Sequence, residues 1–286
     1  MFCNQPQEEA MTDKLTLVLG GTGKTGRRVA ARLEERGIAV RIGARSASPS
    51  FDWTDEATWA PVLENVERIY ISYQPDLAVP GAVETIRKFS RLAVRSGIKR
   101  LVLLSGRGED EAEAAERELQ ASGADWTIIR ASWFFENFSE DFLTDSVRSG
   151  SVFLPPDEIT EPFISTDDIA DVAVAALLDE GHVGKVYELT GPRLMTFAQA
   201  VAEIATAANR RIGYQSVPVA DFTVQLRADG LPDDYVELIR YLFTSVLDGR
   251  NSQVTSDVER VLGRKPRDFA DYARETAATG VWSIAA

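Results

Sequence analysis

Three glycines, Gly20, Gly23 and Gly26, recur at three-residue spacing in Leu19-Gly20-Gly21-Thr22-Gly23-Lys24-Thr25-Gly26. Such a spacing suits the cradling of a dinucleotide pyrophosphate. One glycine allows a tight turn, another lets backbone N–H groups approach phosphate oxygens, and a third lets a helix pack close to the preceding strand. Gly20, Gly21, Thr22, Gly23, Lys24, Thr25 and Gly26 are therefore cofactor-binding candidates. Gly23-Lys24-Thr25 also ends like a P-loop. That motif needs a glycine five residues before its second glycine, where this chain has Val18. An unliganded strand–helix turn is the plain alternative, although three glycines would then cost backbone entropy with no packing gain.

A second position reads the nucleotide. NAD binders place Asp or Glu about 20 residues after the loop, on the ribose 2′-hydroxyl. Here the chain runs Gly43-Ala44-Arg45-Ser46, without a carboxylate. The Arg45 guanidinium suits a 2′-phosphate, and Ser46 can add a hydroxyl donor. The expected cofactor is NADP(H). A solvated loop arginine is the alternative. Asp52 is a candidate contact to the adenine region.

The elements that must position these residues alternate. Leu15–Leu19 is a continuous apolar run, as expected of a strand buried on both faces. A helix over 24–36 follows and stops at Gly37. Further strands are expected at 38–42, 68–72, 100–105 and 126–130, with helices over about 79–96 and 109–122. The fold class is α/β, a Rossmann-type doubly wound parallel sheet with right-handed crossovers. After Gly150 the rhythm loosens. A helix over 165–179 with Thr166 as its N-cap, a strand near 185–190 completing the sheet, a helix over 196–209 capped by Thr196, a short strand over 213–217 and a mostly helical remainder are expected. The division is a tail over 1–13, read as disordered, an NADP-binding domain over 14–150, and a smaller, mainly helical substrate lobe over 151–286.

Composition limits the alternatives. The 286 residues carry a net charge of −13 and no cluster of Lys and Arg, which disfavours nucleic acid and anionic membrane surfaces as partners. No apolar run approaches the roughly 20 residues of a membrane span. Cys3 is the sole cysteine, so an intrachain disulfide and a cysteine-based metal site are excluded. No metal is expected, and the cytoplasm is the expected compartment. His182, the sole histidine, lies in Glu180-Gly181-His182-Val183-Gly184 and reads as a turn residue.

These features resemble the NmrA-like branch of the atypical short-chain dehydrogenase/reductase superfamily. The resemblance rests on the glycine loop, Leu101-Val102-Leu103-Leu104-Ser105, Ser122-Gly123-Ala124-Asp125-Trp126, Trp133-Phe134-Phe135-Glu136-Asn137, Phe163-Ile164-Ser165-Thr166-Asp167-Asp168 and Tyr187-Glu188-Leu189-Thr190-Gly191-Pro192. It implies a substrate cleft between a Rossmann domain and a C-terminal lobe, and a small-molecule substrate. Members include quinone and iminium reductases and also redox-sensing regulators. Ligands of open α/β sheets bind beyond the carboxyl ends of the strands. Ser72, Tyr73, Ser105 and Ala131 are thus expected beside the cofactor, and Trp133, Phe134, Phe138 and Phe163 as an aromatic substrate wall. Ordinary core is the alternative for each aromatic.

Typical enzymes of the superfamily use Tyr-x-x-x-Lys for proton transfer. None of the seven tyrosines here has Lys four residues later. Where the pair would fall, the chain reads Gly106-Arg107-Gly108-Glu109-Asp110-Glu111-Ala112-Glu113. Ser105 and Tyr73 are the remaining catalytic candidates. Two readings follow: a reductase whose acceptor needs little acid help, such as a quinone or an iminium compound, or a catalytically silent NADP(H) sensor. The acidic run would favour a cationic substrate, or is only a solvated first helical turn. Glu237–Phe243 is a docking face for a partner in the sensor reading, or lobe core. An epimerase or dehydratase with tightly bound NAD fits Arg45 poorly. Whether the protein forms a homodimer or binds a protein partner stays open.

Overall fold

The computed structural model describes residues 15–155 and 158–284; the tail over 1–13 and Cys3 lie outside them. Six parallel strands form the central sheet in the order β2-β1-β3-β4-β5-β8. They are β1 (Leu15–Leu19), β2 (Val40–Gly43), β3 (Val66–Ile71), β4 (Arg100–Gly106), β5 (Asp125–Ala131) and β8 (Lys185–Leu189). Four short strands lie outside the sheet: β6 (Ser151–Leu154), β7 (Thr160–Glu161), β9 (Met195–Thr196) and β10 (Gly213–Ser216). The sheet helices are α1 (Lys24–Glu35), α2 (Trp59–Val62), α3 (Ala82–Arg95), α4 (Asp110–Gln120) and, after α5 (Leu143–Ser149), α6 (Thr166–Leu178). A second core is built around α7 (Phe197–Ala207), α8 (Val219–Ala228), α9 (Asp233–Tyr241) and α11 (Phe269–Ala278), whereas α10 (Asp257–Leu262) returns to the sheet and packs on α6 and β8 through Val258.

The alternation of side chains along each strand splits the core into two layers. Leu17, Leu19, Ile69, Ile71, Leu101 and Leu103 face α3 and α4, where Ile86, Phe89, Ala115 and Leu119 meet them. Val18, Tyr70, Val102 and Ile129 face the other way, onto Val29 and Leu33 of α1 and Ile169, Val172 and Ala173 of α6. Both faces are covered, as an all-parallel sheet requires. After β2 the chain crosses to the other side of β1, so the sheet's switch point lies between β1 and β3. In doubly wound sheets that is where a crevice opens for ligand.

Ser165, not Thr166, caps α6: its hydroxyl accepts the Asp167 N–H at 3.1 Å. Ser165 has the extended backbone of a cap, whereas Thr166 is already helical. The α6 acidic turn is structural. Asp167 and Asp171 pair with Arg32 of α1 at 2.8 and 2.5 Å, and buried Asp168 accepts from Arg264 at 2.7 Å. Thr196 caps α7 through a reciprocal bond with Gln199. His182 sits in a turn, with its Nδ1 2.8 Å from the Tyr187 hydroxyl.

The lobe has its own aromatic core, in which Phe138, Phe163, Phe197 and Phe269 pack mutually. That core also takes in Phe135, Leu143 and Val147, ahead of residue 151. No helix among the described residues is long and apolar enough to cross a membrane, and none of their acidic, His or Cys groups is placed to hold a metal.

Candidate functional site

The glycine loop lies at the switch point, and its glycines are required for different reasons. Gly20 adopts φ +67, and a Cβ there would stand 3.0 Å from the carbonyl oxygen of Ser72, the residue just past β3. Its N–H donates to Gly43 O on β2 at 3.1 Å, so the ends of β1, β2 and β3 converge on one residue. A Cβ on Gly26 would lie 2.2 Å from Gly20 O. The first turn of α1 therefore packs directly on the loop. Gly23 is the N-cap of α1 and offers no side-chain acceptor, so the first N–H groups of the helix have no cap. That is a cradle with the positive helix end exposed, as a pyrophosphate needs.

Thr22, Gly23, Lys24 and Thr25 line a cavity of about 510 Å³ between sheet and lobe. The volume lies within the range of small-molecule sites, about 300–1,000 Å³. Ser72, Tyr73, Ser105 and Ala131 line it too, as do Trp133 and Phe134. Lys24 pairs with Asp141, and Arg28 with Glu140 at 2.8 Å, which ties α1 to the lobe across the cavity rim. Arg45 and Ser46 are exposed two and three residues past the end of β2, outside the cavity lining but beside the loop that Gly43 holds. Asp52 forms a local turn: its carboxylate accepts the Thr54 N–H and hydroxyl at 2.9 and 2.8 Å, which lowers its pKa.

Phe138 and Phe163 do not form the expected wall. They are 0% and 2% exposed, inside the lobe core rather than at the cavity. The 3-10 turn Phe135–Phe138 and the residue before Ile164 carry them inward against Phe197 and Phe269. The apolar wall comes instead from Leu238 and Ile239 of α9 and from Leu242 and Val246 of the π-helical turn that follows. The Glu237–Phe243 stretch is thus divided between lobe core and cavity wall.

The Ser105 hydroxyl is committed. It donates to Glu116 Oε1 at 2.6 Å, and Arg130 holds the same carboxylate from β5 at 2.6 Å. Tyr73 is partly exposed and packs on Trp53 at 5.0 Å.

The cavity also holds two buried acids, Glu109 from the acidic run expected at a solvated helix start and Glu161. Glu109 is 7% exposed, and burial together with neighbouring Asp76 pushes its carboxyl well above the usual carboxylate range. Glu161, on β7, is 2% exposed, and burial raises it to about 7. Arg107 Nη2, Trp133 Nε1 and Glu161 Oε2 all belong to cavity-lining residues, and all are buried without a hydrogen-bond partner among the described residues. Unpaired buried polar atoms cost about 1–3 kcal/mol each, so their concentration here marks a place built for a polar ligand.

Comparison with known proteins places this geometry. The sequence pattern described as NAD(P)H-binding matches residues 20–180. The uncharacterized oxidoreductase YesF of Bacillus subtilis (strain 168) is 31% identical over 280 residues, 93% of this chain and 97% of that protein. Agroclavine dehydrogenase of Claviceps fusiformis is 31% identical over 285 residues, 93% and 98% of the two chains. The NADPH-dependent quinone oxidoreductase QOR2 of Escherichia coli, solved with NADPH, shares the fold at a TM-score of 0.77 and 22% identity, over 91% of this chain and 99% of that one. The chain belongs to the NAD(P)H-binding family and is an NAD(P)H-dependent oxidoreductase.

Proposed function

We propose that this protein is an NADPH-preferring reductase that delivers hydride to an electrophilic small molecule of the quinone or iminium type. The observation that carries this reading is the single cavity in which the uncapped N-terminus of α1 and the ends of β3, β4 and β5 face an apolar wall from α9. The glycine loop holds the pyrophosphate, and Arg45 with Ser46 holds the 2′-phosphate. Bound there, NADPH supplies the hydride. The lobe wall keeps water from the acceptor, and Trp133 and Phe134 offer it flat apolar surface. Without a Tyr-x-x-x-Lys pair, ordinary ketone reduction is disfavoured, and acceptors that are already electron-poor are preferred. Relatives named as an agroclavine dehydrogenase and an azoreductase support a small-molecule acceptor.

The test is NADPH oxidation across a panel of benzoquinones, naphthoquinones and cyclic iminium salts, with calorimetry of NADPH and NADH binding in parallel. Turnover with at least one class, and tighter binding of NADPH, is expected. Tight NADPH binding with no turnover anywhere would return the silent-sensor reading instead.

A further inference from the structure

The reductase reading leaves open where an acceptor proton comes from. Ser105 has given its hydrogen to Glu116, and no tyrosine carries the lysine that would make it a donor. The geometry points to a carboxyl pair, Asp76 and Glu109, as the proton donor to acceptors that need one; this rests on the reductase reading above.

The two side chains meet across the cavity from different elements. Asp76 lies on the loop after β3, and Glu109 is the N-cap residue of α4 after β4. Both line the cavity, and their carboxyl groups are in hydrogen-bonding contact. Two carboxylates are acceptors only, so that contact forms when one of them holds a proton. The fold makes room for it: a Cβ on Gly106 would lie 1.9 Å from Glu109 Oε1, so the carboxyl folds over bare backbone. Glu109 Oε2 is buried and meets no N–H or hydroxyl donor. Arg107 Nη2 and Trp133 Nε1, buried and unpartnered among the described residues on the same cavity, are an independent sign that a polar ligand belongs there.

The charges around the pair keep the proton on it. Glu111 and Glu116 of α4 both push Glu109 upward. Tyr241 of α9 donates to Glu111. Arg107 turns to Glu188, Asn251 and Gln253, and Arg250 to Asp248 and the Gly108 carbonyl. No lysine or arginine among the described residues forms a salt bridge with Asp76 or Glu109. Asp76 is itself raised by burial, although the Ala78 N–H donates to it at 2.8 Å.

In the step, hydride adds to a quinone and one O–H bond of the pair breaks as an O–H bond forms on the acceptor oxygen. The pair is left with one more negative charge and regains its proton from solvent. An N-alkylated iminium ion becomes a neutral amine on taking hydride and draws no proton.

Glu109→Gln and Asp76→Asn test this on the full chain, with a benzoquinone and an N-alkylated cyclic iminium salt as probes. Each variant should lower the quinone-to-iminium rate ratio by about 10²-fold, the scale of general-acid help; Glu109→Gln should abolish the fall of quinone kcat at high pH, and Asp76→Asn should move it to lower pH. Infrared difference spectra, read without turnover, should show a protonated carboxyl band in the unmodified protein that Glu109→Gln removes. A quinone-to-iminium ratio unmoved in both variants, or no such band near neutral pH, would overturn the proposal. Unmodified protein silent with every acceptor would overturn the reductase reading first, a result distinct from normal turnover in the variants.

Discussion

The Ser105 hydroxyl and the Glu116 carboxylate, eleven residues apart, are joined by a 2.6 Å hydrogen bond in a site where both side chains are buried. Arg130 completes the carboxylate's set of partners from the neighbouring strand. Ser105 therefore anchors β4 to α4. Ser105→Ala is expected to lose about 1–2 kcal/mol of stability and less than tenfold in kcat. Chemical denaturation and steady-state kinetics check the two halves. A kcat loss of about 10³ in a normally folded variant would restore Ser105 as proton donor.

The Gly26 contact with Gly20 is backbone against backbone, so neither side can yield by rotating a side chain. Gly26→Ala should weaken NADPH binding on the order of 100-fold and lower the Tm. Calorimetry reads the affinity. Unaltered binding would mean that α1 shifts freely away from the loop.

Arg45 is exposed beside the loop. Arg45→Ala should reduce NADPH affinity about tenfold, or about 1.4 kcal/mol, and change NADH affinity much less. The NADPH-to-NADH preference in the variant decides this. Equal losses for both nucleotides would remove the guanidinium from the 2′-phosphate.

Glu161 titrates at about 7 when folded, against an ordinary 4.5. Between those values the folded protein holds a proton that the unfolded chain has released. Stability thus falls as pH rises through that window and levels off above it. Glu161→Gln removes the titrating group, so the variant should gain on the order of 3 kcal/mol over the unmodified protein above pH 7 and little below pH 4.5. Denaturation midpoints measured across the window test the sign. Parallel pH curves for the two proteins would contradict it.

The sheet was legible because its signals are local: apolar runs, glycine stops and the spacing of the loop all act within a few residues. All six sheet strands, and Thr196 as a cap, can be read that way. The cavity was legible on its sheet side for the same reason. Its other side was not. Leu238 and Leu242 reach the site from more than 100 residues along the chain, and no local pattern separates a helix face that lines a cavity from one that fills a core. Phe138 and Phe163 follow strand-end segments in sequence, yet the chain turns there and buries them. Glu109 opens an acidic run that has the composition of a solvated helix start. Its burial depends on Gly106 and on Asp76 from another loop, a meeting that only the fold creates.

The division of the cavity has a practical consequence. One rim is made of strand ends and the close backbone approach of Gly26 to Gly20, where an added Cβ has no room. The opposite rim is a single short helix and its π turn, anchored in a separate core. Under the proposed function, altering α9 would retune which acceptors enter while leaving the glycine loop untouched. Libraries confined to positions 238, 239, 242 and 246 are the economical route to new acceptor scope.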